Sequence, residues 1–146
     1  MANQTFFYDP SQIVLLVATI PISGFQDGEM LAIAYEANLY EAYVGADGDT
    51  TRARILNSNA KMTIKLAQSS RSNDLFSALI NTGGLLSGAA DVVPILVKDL
   101  QGTTLFVSAK AWIEKIPDTG FDKTIKAIEW PFYCSSVAHF IGGSIT

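Results

Sequence analysis

The sequence predicts a mainly β chain with one flanking helix, and three stretches predict it. Residues 94–98 and 103–112 read as two strands joined by the polar turn Asp99-Leu-Gln-Gly102. In residues 61–66, Met62, Ile64 and Leu66 alternate with Lys61, Thr63 and Lys65, the pattern of a strand with one buried face. Residues 72–83 carry Leu75, Phe76, Leu79 and Ile80 at helical spacing, with Ser72 or Asn73 as the cap and Asp74 in the first turn. Gly83-Gly84 predicts where that helix stops.

The other elements follow from the same signals. Residues 12–20 form a strand with aliphatic side chains on both faces, followed by residues 21–24 and the turn Gln26-Asp-Gly28. Residues 30–36 and 39–44 flank Ala37-Asn38 and read as a hairpin. Residues 46–59 are polar and glycine-bearing, a long exposed loop with room for a short strand, and residues 85–91 and 118–122 are further loops. Within the 103–112 strand and just beyond it, Leu105, Val107, Ala109, Ala111 and Ile113 share one face while Phe106, Lys110, Trp112 and Glu114 share the other. The last strand, residues 128–141, contains Pro131, which cannot donate to a ladder and so implies an edge, a bulge or a break. No linker or repeat divides the chain, so residues 1–146 form one domain with an N-terminal arm at residues 1–11.

The composition narrows the function. A chain of 146 residues buries a core without a disulfide or metal staple. Charged residues are 16% of it, below the roughly 25% of a typical soluble domain, and hydrophobic residues are 49%. Much of the surface is therefore neutral or apolar, which favours association between copies. The apolar run at residues 13–20 falls well short of the roughly 20 residues of a spanning helix, so no membrane insertion is expected. The N-terminus has no basic region ahead of an apolar one, which points to synthesis in the cytoplasm. A net charge of -4 argues against tight binding of nucleic acid, which depends on clustered Lys and Arg.

Catalytic readings fail on type and spacing. His139 is the single histidine and Cys134 the single cysteine; five residues apart on one strand, they point to opposite faces. Asp47-Gly-Asp49 lacks the closing glutamate of a calcium loop, and Gly83-Gly84 with Gly88 lacks the Lys-Ser/Thr ending of a phosphate loop. No enzyme activity, metal or cofactor is expected. Arg52 and Arg54 read as partners for Asp47 or Asp49 across a contact between copies. Trp112, Trp130, Tyr35, Tyr40 and Tyr43 either fill a core and a subunit seam or line a carbohydrate groove. Glu29, Glu36 and Glu41 gather around the first hairpin with no basic neighbour in sequence, forming either a solvated face or a functional one.

Several segments in order carry a family resemblance: Tyr8-Asp-Pro-Ser-Gln-Ile13, Ile22-Ser-Gly-Phe-Gln-Asp-Gly28, Val44-Gly-Ala-Asp-Gly-Asp49 and Gln68-Ser-Ser-Arg-Ser-Asn-Asp74. Ser77-Ala-Leu79, Leu96-Val-Lys-Asp-Leu-Gln-Gly-Thr-Thr104, Ala111-Trp-Ile-Glu-Lys-Ile-Pro117 and Ile128-Glu-Trp130 continue the series. Through them the chain resembles the tail tube proteins of contractile-tailed bacteriophages. The resemblance implies a β-sandwich or barrel with one flanking helix, built into six-membered rings that stack as a hollow tube inside a contractile sheath, with DNA passing through the bore. It also implies as partners further copies of the chain, the sheath protein, and baseplate, initiator and terminator proteins. The location it implies is the virion tail, reached after assembly in the host cytoplasm. Lumens of such tubes are lined by long hairpin strands, which makes Glu29, Glu36 and Glu41 the lumen-facing candidates. The 46–59 loop, with Asp47, Asp49, Arg52 and Arg54, is the candidate ring-to-ring contact. The inner tube of a contractile injection or secretion apparatus is the alternative, followed by a monomeric β-sandwich module that binds a ligand.

Overall fold

A computed structural model describes residues 5–85 and 91–143, with the backbone alone for residues 83–85. The first four residues of the N-terminal arm, and Gly88 with most of the loop read at residues 85–91, lie outside the described residues. The expected class holds: one large antiparallel sheet and one helix. The strands are β1 (Ile13–Val17), β2 (Ile20–Pro21), β3 (Leu31–Tyr35), β4 (Tyr40–Val44), β5 (Thr50–Arg54), β6 (Ala60–Ala67), β7 (Val93–Asp99), β8 (Leu105–Ile113) and β9 (Ala127–Phe140). The helix α1 (Ser72–Leu85) lies between β6 and β7 in the chain. Seven strands form the sheet in the order β2-β1-β7-β8-β9-β6-β3, and β4 pairs with β5 in a separate two-stranded arm.

Three local readings change. The 12–20 strand breaks at Ala18 and Thr19, whose φ values of 53° and 65° make a tight hairpin turn into β2. Neither residue is Gly, Asn or Asp, so the turn carries no sequence signal. The hairpin expected between residues 30–36 and 39–44 does not form. β3 pairs with β6 instead, placing Ile33 opposite Met62, and β4 pairs with β5 across Gly45–Asp49. The 46–59 stretch is therefore a turn, a five-residue strand and a return segment. The helix also runs through Gly83-Gly84 to Leu85. Its first amides are met by Ser70, whose Oγ accepts from the Ser72 amide at 3.2 Å, while the Ser72 hydroxyl accepts from the Ser23 amide at 3.1 Å. At this junction Gly24, at φ 76°, passes so close to Ser70 that a Cβ would sit 2.5 Å from its Oγ.

The core lies between one face of the sheet and α1. Met62, Ile64 and Leu66 are fully buried, as their alternation predicts, and Phe76 of α1 meets the rings of Trp130 and Phe132 edge-on at 5.2 and 5.1 Å. Trp130 Nε1 donates to Asn73 Oδ1 at 2.8 Å, and the Asn73 amide group donates to the Ala67 and Ser70 carbonyls, so one side chain fastens the start of α1 to β9 and to the end of β6. A groove of about 540 Å³ lined by Ile13, Val97, Leu31 and Ile33 brings residues of both margins of the sheet together, so the sheet curls around its core.

Strict period-two alternation does not survive along β8. Two β8 residues, Ala109 and Lys110, lie opposite the single residue Pro94 of β7, so the buried set passes from Phe106 and Ser108 to Ala111. β9 carries a matching extra residue at Ser135–Ser136, where Ser136 has φ 52°, and the register between β8 and β9 is preserved across both bulges. Ser108, the buried polar residue of the described core, directs its hydroxyl at the Ser135 carbonyl (2.9 Å) and the Lys110 carbonyl (3.2 Å) that these bulges free. Pro131 sits at a local edge: its carbonyl accepts from the Glu114 amide just past the end of β8, so its missing N–H points where β8 has already finished.

Candidate functional site

The arm has too little core of its own. All ten residues of β4 and β5 are exposed, and Tyr43 and Val44 stand 70% and 63% in solvent. A lone two-stranded ribbon is marginal in water. The arm's strands are held in register from Tyr40 opposite Arg54 to Val44 opposite Thr50, and Gly48 at φ 90° closes the tip. Arg52 lies over the Tyr40 ring at 4.2 Å. The Ile55 amide donates to the Leu39 carbonyl at 3.0 Å, so both ends of the arm meet at one hydrogen-bonded neck.

All four inter-ring candidates belong to this arm. Asp47 and Asp49 form its tip, where Asp47 Oδ1 accepts from the Asp49 amide at 3.3 Å, and Arg52 and Arg54 lie on β5. Among the described residues neither arginine makes an ion pair within the chain. At the neck opens a groove of about 940 Å³ lined by Leu39, Tyr40, Arg54, Leu56, His139 and Ile141, among others. His139 stacks on Tyr35 with ring centres 5.3 Å apart and meets Phe106 edge-on at 5.6 Å, so the histidine is an aromatic packing partner. Cys134 is fully buried, and burial pushes its thiol up to about 12, an inert group.

The three lumen candidates separate into two places. Glu29 and Glu36 share the outward face of β3, β6 and β9, while Glu41 lies alone on β4 of the arm. Glu29 bonds Lys65, and that hydrogen bond holds the Lys65 ammonium above its usual pKa. Glu36 accepts from the Tyr133 hydroxyl at 2.8 Å and from Asn57 Nδ2 at 3.2 Å, and the first of these raises the Tyr133 phenol pKa. Asn59 completes the cluster by donating to the Tyr133 oxygen at 3.0 Å. Lys61 pairs with Glu114 at 3.4 Å, and Glu129 lies opposite Lys65 in the ladder. The outward face is thus a mosaic of charges, with Trp112 stacked on Tyr133 at 5.0 Å in its midst.

Sequence reasoning missed the partners of these carboxylates, because Lys65 and Tyr133 lie far from them in the chain. It also passed over Phe121, which stands 91% exposed in the β8–β9 connection. A lone aromatic within Asp118-Thr-Gly-Phe-Asp122 was the available signal. The aromatic residues do not form one platform: Trp130 is core, Trp112 lies on the charged face, and Tyr35, Tyr40 and Tyr43 surround the arm. Among the described residues no group of His, Cys, Asp and Glu is placed to hold a metal ion, and no helix is long and apolar enough to cross a membrane.

Among the solved structures that share this fold, two serve as examples. One is the sheath/tube terminator of an extracellular contractile injection system, PVC, in its extended state, with a TM-score of 0.63 and 16% identity over 94% of this chain and 99% of that one. The other is the tube-terminating cap of the anti-feeding prophage, with a TM-score of 0.66 and 9% identity over 96% and 95%. Structural protein ORF10 of Pseudomonas phage KPP10 is 29% identical over 99% of this chain and 87% of the relative. The family match and the phage structural protein among its relatives place the chain among phage tail-associated proteins. The chain belongs to the bacteriophage PhiTE tail tube protein family, which matches residues 23–142. It is a tail tube-associated structural protein of the virion tail.

Proposed function

We propose that this chain is the repeating subunit of the tube: six copies close a ring, and rings stack into a hollow conduit for DNA inside a contractile sheath. The arm carries the reading, because a two-stranded ribbon exposed on both faces is stable only against a neighbour. Asp47, Asp49, Arg52 and Arg54 are the polar contacts between rings, where oppositely charged groups of two copies set the register. Glu29, Glu36 and Glu41 face the lumen. The acidic groups there discourage phosphate from adhering, with Glu41 contributing most because Glu29 is already neutralised by Lys65. Sheath, baseplate, initiator and terminator proteins are the neighbours, and no cofactor takes part.

Electron microscopy of the purified chain with its mass by light scattering tests this reading. Hollow tubes are the expected result, and a monomer at every concentration favours the ligand-binding module. In a second preparation Tyr40–Arg54 is replaced by a short Gly-Ser link across the Leu39–Ile55 neck. That variant is expected to fold and to leave tubes unformed; tubes of normal length refute the role of the arm. A second reading takes support from the two solved relatives, a terminator and a terminating cap. In it the chain ends a tube in a phage tail or an injection apparatus, and single rings that never stack are its signature.

A further inference from the structure

We propose that Phe121 of one copy plugs the neck groove of the next copy, making the apolar centre of a head-to-tail contact. The inference rests on the tube reading and names the residues that join two copies. The β8–β9 connection presents Ile116, Phe121 and Ile125 to solvent, at 66%, 91% and 71% exposure. Gln68 fixes this loop in place, with its side chain donating to the Gly120 carbonyl and its amide to the Lys126 carbonyl, both at 3.1 Å. The loop is therefore a presented knob. The groove at the neck is its counterpart, with Leu39, Leu56 and Ile141 at 79%, 85% and 79% exposure along its walls.

The two surfaces lie at opposite ends of the sheet. β9 starts beside the knob at Ala127, and His139, near its other end, lines the groove; twelve residues of strand, a path of up to about 40 Å, lie between them. A loop tied to its own end of β9 cannot reach its own groove, so the occupant is a second copy, and a contact between unlike surfaces propagates instead of closing as a dimer. Charge agrees with this pairing. Among the described residues, Arg54 is the one Lys, Arg, Asp or Glu side chain lining the groove. Asp118 and Asp122 flank Phe121 and form exposed pairs with Lys115 at 4.0 Å and Lys126 at 3.3 Å, which exchange for Arg54 at little cost, while the other oxygen of Asp122 accepts from the Lys123 amide at 2.8 Å. The groove is also continuous with the arm, the element that already requires a neighbour.

Phe121→Cys combined with Leu56→Cys tests the contact in the full chain, because Cys134 is buried and silent toward a short bis-maleimide. In assembled material the double variant is expected to give a ladder of linked species beyond the dimer, and each single variant nothing beyond it. Phe121→Ala, a change at an exposed side chain that leaves the fold intact, is expected to raise the concentration needed for assembly about tenfold or more. Tubes that form without a ladder overturn the inference and leave the tube reading standing, with Phe121 then facing the sheath or another tail protein. A chain that stays monomeric at every concentration removes both.

Discussion

Ser108 is a small residue with a large structural duty. Two adjacent strands each carry an extra residue at the same level, and the hydroxyl of Ser108 is what the freed carbonyls of Lys110 and Ser135 meet. Ser108→Ala is expected to lower stability by about 1–3 kcal/mol, the penalty for stranding a buried polar group, measured by urea unfolding. Tyr133 offers a second test. Its hydrogen bond to Glu36 raises its pKa in the folded protein above the ordinary value near 10, so the folded state holds the proton longer than the unfolded chain. Stability is complete below that ordinary value and is lost as pH rises through the folded-state one. Unfolding measured between about pH 9 and pH 12 should show a steeper fall for the native protein than for Tyr133→Phe; Cys134 titrates in the same sense in both and cancels. At this scale the burial of Met62, Ile64 and Leu66 was legible because alternation is local. The Glu36–Tyr133 pair spans 97 positions, and no local pattern encodes it.

At the scale of elements, one aromatic side chain and one amide stand out among the groups that hold the helix. Phe76 supplies the ring, and Phe76→Ala is expected to cost about 3–5 kcal/mol, read from the urea midpoint. Asn73 supplies the amide that ties helix, β6 and β9 together. The helix, β6, β7 and β8 were readable because each carries a complete signal within its own length. The first hairpin was misread because period two tells which face of a strand is buried but not which strand lies beside it. Leu31 and Ile33 gain more by extending the core beside Met62 and Ile64 than by pairing with a wholly exposed β4. The better turn signal was Asp47-Gly48, which sits at the tip of the β4–β5 hairpin that does form. The alternation read along β8 failed at the bulge for a related reason: only the neighbouring strand, with Pro94 opposite two residues, reveals the extra one.

For the whole molecule, the mainly β class with a single helix was legible from composition and strand spacing, and the order of the seven strands was not, since it is set by contacts between distant segments. The low charge content pointed to association, and much of the apolar surface left exposed lies in the arm, the groove at its neck and the β8–β9 connection. In the proposed tube the arm's charges take part in assembly as well. Arg54→Glu is expected to shift the salt dependence of tube formation and to leave the urea midpoint within about 0.5 kcal/mol of the native value, because this side chain is exposed and makes no ion pair among the described residues. Light scattering across a salt series reads the first effect.

The neck between Leu39 and Ile55 has a consequence for how such proteins diversify. Both ends of the arm emerge from a single hydrogen bond, so the arm can lengthen, shorten or change sequence with almost no change in the entropy of closing the chain around it. In the proposed tube, the residues that decide which subunits recognise one another are thereby free to vary, while those that decide whether the chain folds stay behind in the sheet. Under that reading, an arm of different sequence grafted across the same two residues carries its own choice of partner with it.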